Sequence, residues 1–177
     1  GGFIVGFDSD TSSTFQQLID FIQKSGIVTA MVGLLQAPPG TRLFDRLKKD
    51  NRLLGMKISG DNVDGTTNIS PKMGLDQLMN GYRSIMGNIY SPRQYYRRVK
   101  VFLKEFRNSK VDTPIDLQRF LAFFRSGVRL GILGKERFHY WYLIAWTLVR
   151  KPRLLPLAIT LAIYGHHFRR ICENHIL

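Results

Sequence analysis

The sequence predicts an α/β segment of two strand–loop–helix units followed by a mostly helical, basic domain, and three observations predict it. Two short apolar runs, Gly2 to Phe7 and Ile27 to Leu35, each lead through a polar or proline-containing turn into an amphipathic helical pattern, as parallel strands joined by helices do. From Asp50 to Met73 the periodicity dissolves into Gly, Asn, Asp, Thr and Ser. Beyond that stretch the apolar residues recur at helical spacing and the charge changes. Residues 1 to 80 hold eight Lys/Arg and eight Asp/Glu, residues 81 to 177 hold eighteen and five, and the whole excess of +13 lies in the second half. The predicted organisation is therefore strand–helix units over residues 1–50, a loop over 51–73 and a helical basic domain over 74–177.

The elements follow in order. In the first helix Ser13 to Gln16 matches a Ser-x-x-Gln capping box, and Phe15, Leu18, Ile19 and Ile22 repeat on one face. Gly26 stands where a helix ends in left-handed backbone. The run Ile27 to Leu35 is almost wholly apolar, which suits a strand covered on both faces. Thr41 is placed to cap a short second helix carrying Leu43, Phe44 and Leu47. The long loop that follows is of the kind that is usually functional. Helices are predicted over 75–90, over 92–108 opened by Ser91-Pro92, over 114–132 opened by Thr113-Pro114, and over 135–150 and 153–174, both punctuated by proline.

Composition excludes several classes. A single cysteine, Cys172, rules out an internal disulfide framework and any multi-cysteine metal site within the chain, which favours a reducing, cytoplasmic compartment. The start shows no cleavable signal pattern. The longest apolar runs, Phe138 to Val149 and Leu154 to Gly165, are well short of the roughly 20 residues that span a bilayer. A strand beginning at residue 3 leaves an edge that a sheet pairs or covers, so a preceding portion of chain is expected.

The basic excess concentrates on the helix after Pro92. Arg93, Arg97, Lys100, Lys104 and Arg107 form one stripe, with Tyr95, Val99, Phe102 and Phe106 opposite. The plain reading is a solvated face on a packed helix; the alternative is an anionic surface, lipid or nucleic acid, or an acidic neighbouring domain. Without aromatic stacking platforms the nucleic-acid form is disfavoured.

Common catalytic motifs fail on their residues. The glycines at 1, 2 and 6 lack the Lys-Ser/Thr of a phosphate loop and the spacing of a dinucleotide fingerprint. Aligning Gly65 with the invariant glycine of a calcium hand puts Gly60 at the first ligand and Pro71 where the bidentate Glu belongs. His139, His166, His167 and His175 have no zinc-site companions, and no Gly-x-Ser-x-Gly elbow exists.

A more specific pattern remains. Phe3-Ile4-Val5-Gly6-Phe7-Asp8-Ser9-Asp10-Thr11, a helix, and then Leu34-Leu35-Gln36-Ala37-Pro38-Pro39-Gly40-Thr41-Arg42-Leu43 resemble the late barrel strands of radical S-adenosylmethionine enzymes. In the cobalamin-binding branch these run Phe-Ile-x-Gly-Phe/Leu-x-x-Asp/Glu-Thr and Pro-x-Pro-Gly-Thr-x-Leu, and here Gln36-Ala37 replaces the first proline. Gly60-Asp61-Asn62-x-Asp64-Gly65-Thr66-Thr67-Asn68 and Tyr90-Ser91-Pro92-x-x-Tyr95-Tyr96-x-Arg98 resemble the uncharacterised C-terminal domain of a hopanoid-associated, methylase-like group in that branch. The resemblance covers nearly the whole chain.

It implies a fold of two late units of a partial (β/α) barrel followed by a mostly helical C-terminal domain. It also implies an upstream barrel with the Cys-x-x-x-Cys-x-x-Cys loop of a four-iron, four-sulfur cluster and an upstream cobalamin-binding domain. The cluster takes three thiolates and this chain has one, so its ligands and the cobalamin site are expected outside the chain, and the chain is expected to be inactive alone. The implied activity is reductive cleavage of S-adenosylmethionine, hydrogen abstraction from an unactivated carbon and methyl transfer through cobalamin to a lipid-like or other small molecule.

On this resemblance Gly6, Phe7, Asp8, Leu35, Gln36 and Ala37 are candidates for S-adenosylmethionine binding. Gly6 permits close backbone approach, Phe7 offers a ring to an adenine, and the backbone of Leu35 to Ala37 offers carbonyl and amide groups to its edge. The plain alternative, that Gly6, Pro38 and Pro39 merely shape turns, stands beside it. Asp61, Asn62, Asp64 and Asn68 are candidates for closing over substrate, although such loops often just satisfy their own backbone. No catalytic residue is assigned. The last two helices, with Trp141, Trp146, Tyr140, Tyr142 and His139 and flanking arginines, read as a buried helical hairpin. The alternative is a peripheral, membrane-interfacial pair suited to a lipid substrate. The competing function for the whole chain is a non-catalytic basic module docking on anionic lipid or nucleic acid.

Overall fold

A computed structural model describes residues 1–55, 65–106, 127–132, 134 and 136–175. The described elements are β1 (Gly2–Val5), α1 (Ser12–Ser25), β2 (Met31–Leu34), α2 (Arg42–Lys49), α3 (Leu75–Ile89), α4 (Pro92–Glu105), a π-helical turn (Gly127–Ile132), α5 (Arg137–Arg150), a 3₁₀ turn (Pro152–Leu154) and α6 (Leu155–His175). The chain divides into two compact units. The first comprises residues 1–22, 30–89 and 171–177, the second 23–29 and 90–170.

In the first unit β1 and β2 pair in parallel, with Gly2 opposite Met31 and Val5 opposite Leu34. The pairing is shorter than the apolar run predicts, because β2 starts at Met31, whose amide reaches the Gly1 carbonyl at 2.8 Å. Residues 23–29 belong to the second unit. Phe15, Ile19 and Ile22 of α1 are buried at helical spacing, and so are Leu78, Tyr82, Ile85, Met86 and Ile89 of α3. Gly81 of α3 has no room for a side chain: a Cβ there would lie 2.2 Å from the Phe15 ring. A neighbouring cluster of Leu35, Ala37, Leu47 and Ile69, flanked by Leu43, Phe44 and Leu53, seats α2.

The helix ends show how local chemistry sets the boundaries. Thr41 caps α2, its hydroxyl accepting from the Phe44 amide at 3.2 Å. The start of α1 differs from the Ser13–Gln16 box: the Thr14 hydroxyl accepts from the Thr11 amide at 3.0 Å, and Gln16 turns instead to Asp20 at 3.0 Å. A threonine three residues after the cap closes the first turn as Glu or Gln would. Gly26, at φ +69°, follows the last residue of α1.

The described elements of the second unit are helical. Arg98 of α4 is fully buried. It donates to the Gln23 Oε1 and to the Val28 carbonyl at 3.1 Å, and it lies 5.4 Å from the centre of the Tyr95 ring. Burial lowers its pKa to about 10, so it stays charged at neutral pH. Tyr95 donates to the Leu161 carbonyl at 2.7 Å, and a Cβ at Gly165 would lie 2.2 Å from its ring. Glycine there lets the tyrosine lie flat on α6. Glu136, almost completely buried, binds His166 at 2.8 Å and also Arg169. The helix predicted over 114–132 lies outside the described residues up to 126, and its end is the π-helical turn.

Candidate functional site

Because Val5 and Leu34 are register partners in a parallel pair, the segments that follow them leave at the same end of the strands. The Leu35 amide extends the pairing one residue further, donating to the Val5 carbonyl at 2.8 Å. Chemistry at parallel strands gathers at this end, since exit loops can bring backbone and short side chains together there.

The first exit is a turn closed by Asp10. Its carboxylate accepts from the Gly6 amide at 2.8 Å and the Phe7 amide at 3.0 Å. Gly6 has φ +108°, and a Cβ on it would lie 3.1 Å from the Leu78 side chain, so both backbone and space call for glycine. The turn leaves the Phe7 ring 44% exposed. Asp8 is paired with Arg52 at 2.7 Å and Arg46 at 3.3 Å. The hydrogen bond from Arg52 holds its carboxyl below the usual carboxylate range, with both guanidinium charges adding to the effect. Arg52 is itself fixed by donating from Nε to the Ser70 carbonyl at 2.8 Å.

The second exit is clamped from the side by residues 66 to 68. Asn68 receives the Ala37 amide on Oδ1 and donates Nδ2 to the Ala37 carbonyl, both at 2.8 Å. Its side-chain amide thus pairs with Ala37 as a neighbouring strand would. The Thr67 hydroxyl donates to the Leu35 carbonyl at 2.6 Å, and Gln36 donates to the Thr66 carbonyl at 3.1 Å. The clamp is anchored by an antiparallel bridge between Leu53 and Ile69, with the Leu54 amide on the Asn68 carbonyl at 2.9 Å and the Ser70 amide on the Arg52 carbonyl at 2.8 Å.

The six residues expected at a cofactor are therefore gathered at one end of the strands in distinct states. Phe7 presents a ring, Asp8 sits in an ion-pair cluster, and Gln36 is tied to Thr66. The Leu35 carbonyl and the Ala37 amide and carbonyl are engaged by Thr67 and Asn68. Asn68, expected in the substrate loop, is buried and holds the second exit in shape. Asp61, Asn62 and Asp64 lie outside the described residues. Asp10, Arg52 and Thr67 are not among the site candidates the sequence offers. Asp10 had a detectable signal, a carboxylate four residues after a glycine in a turn, whereas the other two act across long sequence separations.

Electrostatically the rim offers an apolar ring beside a neutralised carboxylate. It can receive a planar, weakly polar group, Lys72 lies near enough for its charge to act on Asp8, and among the described residues no group of three His, Cys, Asp or Glu could hold a metal ion.

In the second unit the basic stripe of α4 exposes Arg93, Arg97 and Lys104. The Lys100 Nζ lies 4.3 Å from the centre of the Tyr142 ring, and Arg107 lies outside the described residues. Opposite them Tyr95 and Val99 are buried and Phe102 and Phe106 half-buried, the last two rings 5.3 Å apart. Helix α5 buries Tyr140, Leu143, Ile144 and Thr147 and exposes Phe138, Trp141, Tyr142, Leu148 and Val149. A buried hairpin describes one face of it only. No described helix is long and apolar enough to cross a membrane.

Comparison with known proteins adds the following. The chain is 31% identical over 176 residues to an uncharacterized methyltransferase, sll1242, of Synechocystis, the alignment covering 97% of this chain and 33% of that protein. It is 27% identical over 157 residues to the hopanoid C-2 methylase of Rhodopseudomonas palustris, covering 84% of this chain and 29% of that protein. The chain thus spans about a third of the length of these curated relatives. No solved structure matches. A family described as a domain of unknown function, DUF4070, matches residues 41–176, and by that match the chain belongs to the DUF4070 family.

Proposed function

We propose that this chain is the C-terminal part of a methyl-transferring enzyme of the cobalamin-dependent radical S-adenosylmethionine type, acting on an unactivated carbon of a lipid-like substrate. The observation that carries the reading is the alignment of 97% of the chain with a protein named as a methyltransferase. The alignment of 84% with a hopanoid methylase supports the polycyclic lipid class. The common end at which Gly6 and Leu35 leave the strands supports a rim of the kind on which such chemistry is built.

The chain's own residues do not fit an iron–sulfur cluster, because its one thiol, Cys172, is buried, against three needed. Cluster and cobalamin belong, in this reading, to other parts of a longer protein. Toward S-adenosylmethionine the donor set fits in part: the Phe7 ring is available beside the Gly6 turn, while the Leu35 and Ala37 polar groups are already bonded by Thr67 and Asn68. Two molecules of that cofactor would be consumed, one giving its methyl group and leaving as S-adenosylhomocysteine, the other, cleaved with an electron from the cluster, giving methionine and the deoxyadenosyl fragment for hydrogen abstraction. Phe7 would stack on its base, Asp10 would hold the first exit open by gripping the Gly6 and Phe7 amides, and Asn68 with Thr67 would keep the second exit in register. These are binding and positioning roles.

The test is anaerobic turnover of the longer protein carrying this chain with methyl-labelled S-adenosylmethionine and a polycyclic triterpenoid. Label in the lipid together with 5′-deoxyadenosine is the expected result. Lipid recovered unlabelled with no deoxyadenosine formed would sink the assignment.

A further inference from the structure

Helix α5 carries an exposed stripe that a water-facing helix does not carry. Phe138, Trp141, Tyr142, Leu148 and Val149 are 75%, 47%, 59%, 50% and 80% exposed. Their spacing of i, i+3, i+4, i+10 and i+11, with Ala145 between, puts them on one face. The opposite face, Tyr140, Leu143, Ile144 and Thr147, is the one that packs. Single exposed apolar residues need no explanation, but a contiguous stripe of large ones marks a contact surface.

What borders the stripe identifies its occupant. Helix α4 packs beside α5 within the same unit, with Tyr96 stacked on His139 at 6.0 Å and Lys100 over Tyr142 at 4.3 Å, which brings a row of cations alongside. Arg93, Arg97 and Lys104 on that helix are exposed, and Arg137 and Arg150 stand exposed at the two ends of α5. Glu105 is the one acidic residue in either helix. The Tyr142 ring with its hydroxyl, the part-exposed Trp141 ring, whose Nε1 donates to the Gly131 carbonyl at 3.0 Å, aliphatic side chains beyond them and a cationic border of one sign match the layered chemistry of a headgroup region over acyl chains. A protein partner of matching shape would have to be apolar at its centre and acidic around it. Neither helix is of a length and hydropathy to span, so contact is parallel to the surface.

We propose that this face of the second unit lies on an anionic lipid bilayer, with Phe138, Trp141, Leu148 and Val149 entering the interface and Arg93, Arg97, Lys100 and Lys104 meeting lipid phosphates. The inference does not rest on the methyl-transfer reading and stands on the burial and charge of α4 and α5.

Flotation of the full chain with phosphatidylglycerol-containing and pure phosphatidylcholine vesicles tests it. Binding to the anionic vesicles should exceed binding to the neutral ones by at least about tenfold and fall steeply with salt. Trp141 emission, read in a Trp146→Phe background, should be quenched by brominated acyl chains. Phe138→Ser with Val149→Ser should weaken binding about tenfold or more with an unchanged circular dichroism spectrum, since both side chains face out. Should that pair disturb folding, Arg97→Glu with Lys104→Glu changes surface charge alone and should abolish the preference for anionic lipid. The proposal is overturned by a chain that ignores anionic vesicles, by equal binding after either pair of substitutions, or by self-association that shields Trp141 from brominated lipid.

Discussion

At the scale of the residue, Asn68 and Asp8 carry the most consequence for the rim. Asn68 satisfies the Ala37 amide and carbonyl with one side chain, and both residues are buried, so truncation leaves two backbone groups unpaired away from water. Asn68→Ala should cost about 2–3 kcal/mol of stability in urea unfolding. Asn68→Asp should fall short of rescue, because a carboxylate accepts from the amide but repels the carbonyl. Asp8 gives a pH signature. Its folded pKa lies below the ordinary 3.8, so its contribution is fully present above that value and is lost as pH falls through the folded one. Asp8→Asn should destabilise by about 1 kcal/mol at neutral pH. Its stability should also fall less than that of the native chain on acidification from pH 5 to below 3.8. An unchanged acid profile would mean that the pairs with Arg52 and Arg46 do not persist in solution.

At the scale of the element, the sequence made some features plain and hid others, for physical reasons. Four of the helices from Leu75 onward were legible because proline and apolar spacing punctuate them: α3, α4, α5 and α6 begin and end within three residues of expectation, while the one expected over 114–132 lies outside the described residues up to 126. Thr41 was legible as a cap because capping is local. The limits of β2 were not, because hydrophobicity alone does not tell which part of an apolar run pairs, and Val28 has its carbonyl taken by Arg98. Nor was the clamp formed by Thr67 and Asn68, which acts across 32 and 31 residues. Close helix packing has a test of its own. A Cβ at Gly165 meets the Tyr95 ring at 2.2 Å, so Gly165→Ala must push aside a buried tyrosine and strain its bond to the Leu161 carbonyl. About 2 kcal/mol of destabilisation is expected from such overpacking, although alanine is the better helix former by up to 1 kcal/mol. A stabilised variant in thermal melts would show that the tyrosine has room to move.

At the scale of the whole molecule, charge is distributed so unevenly that it should govern the response to salt. Residues 81 to 177 carry the entire +13, and like charges so concentrated repel one another in the folded state. Opposing this, salt also weakens the pairs of Asp8 with Arg52 and Arg46 and of Glu136 with Arg169. The Glu136 carboxylate is buried, and buried pairs are screened far less than exposed charges. The repulsive terms, made among the described residues largely between exposed lysines and arginines, are therefore the ones that salt removes. Raising sodium chloride from about 10 mM to 0.2 M shortens the screening length from roughly 30 Å to below 8 Å, so the thermal midpoint should rise. Arg97→Gln with Lys104→Gln, which removes two exposed cations from α4, should raise the low-salt midpoint and flatten its salt dependence. A midpoint that falls with salt would mean that attraction outweighs repulsion even in the basic half, and that its cations are committed to partners within the fold and are not held free for an anionic surface.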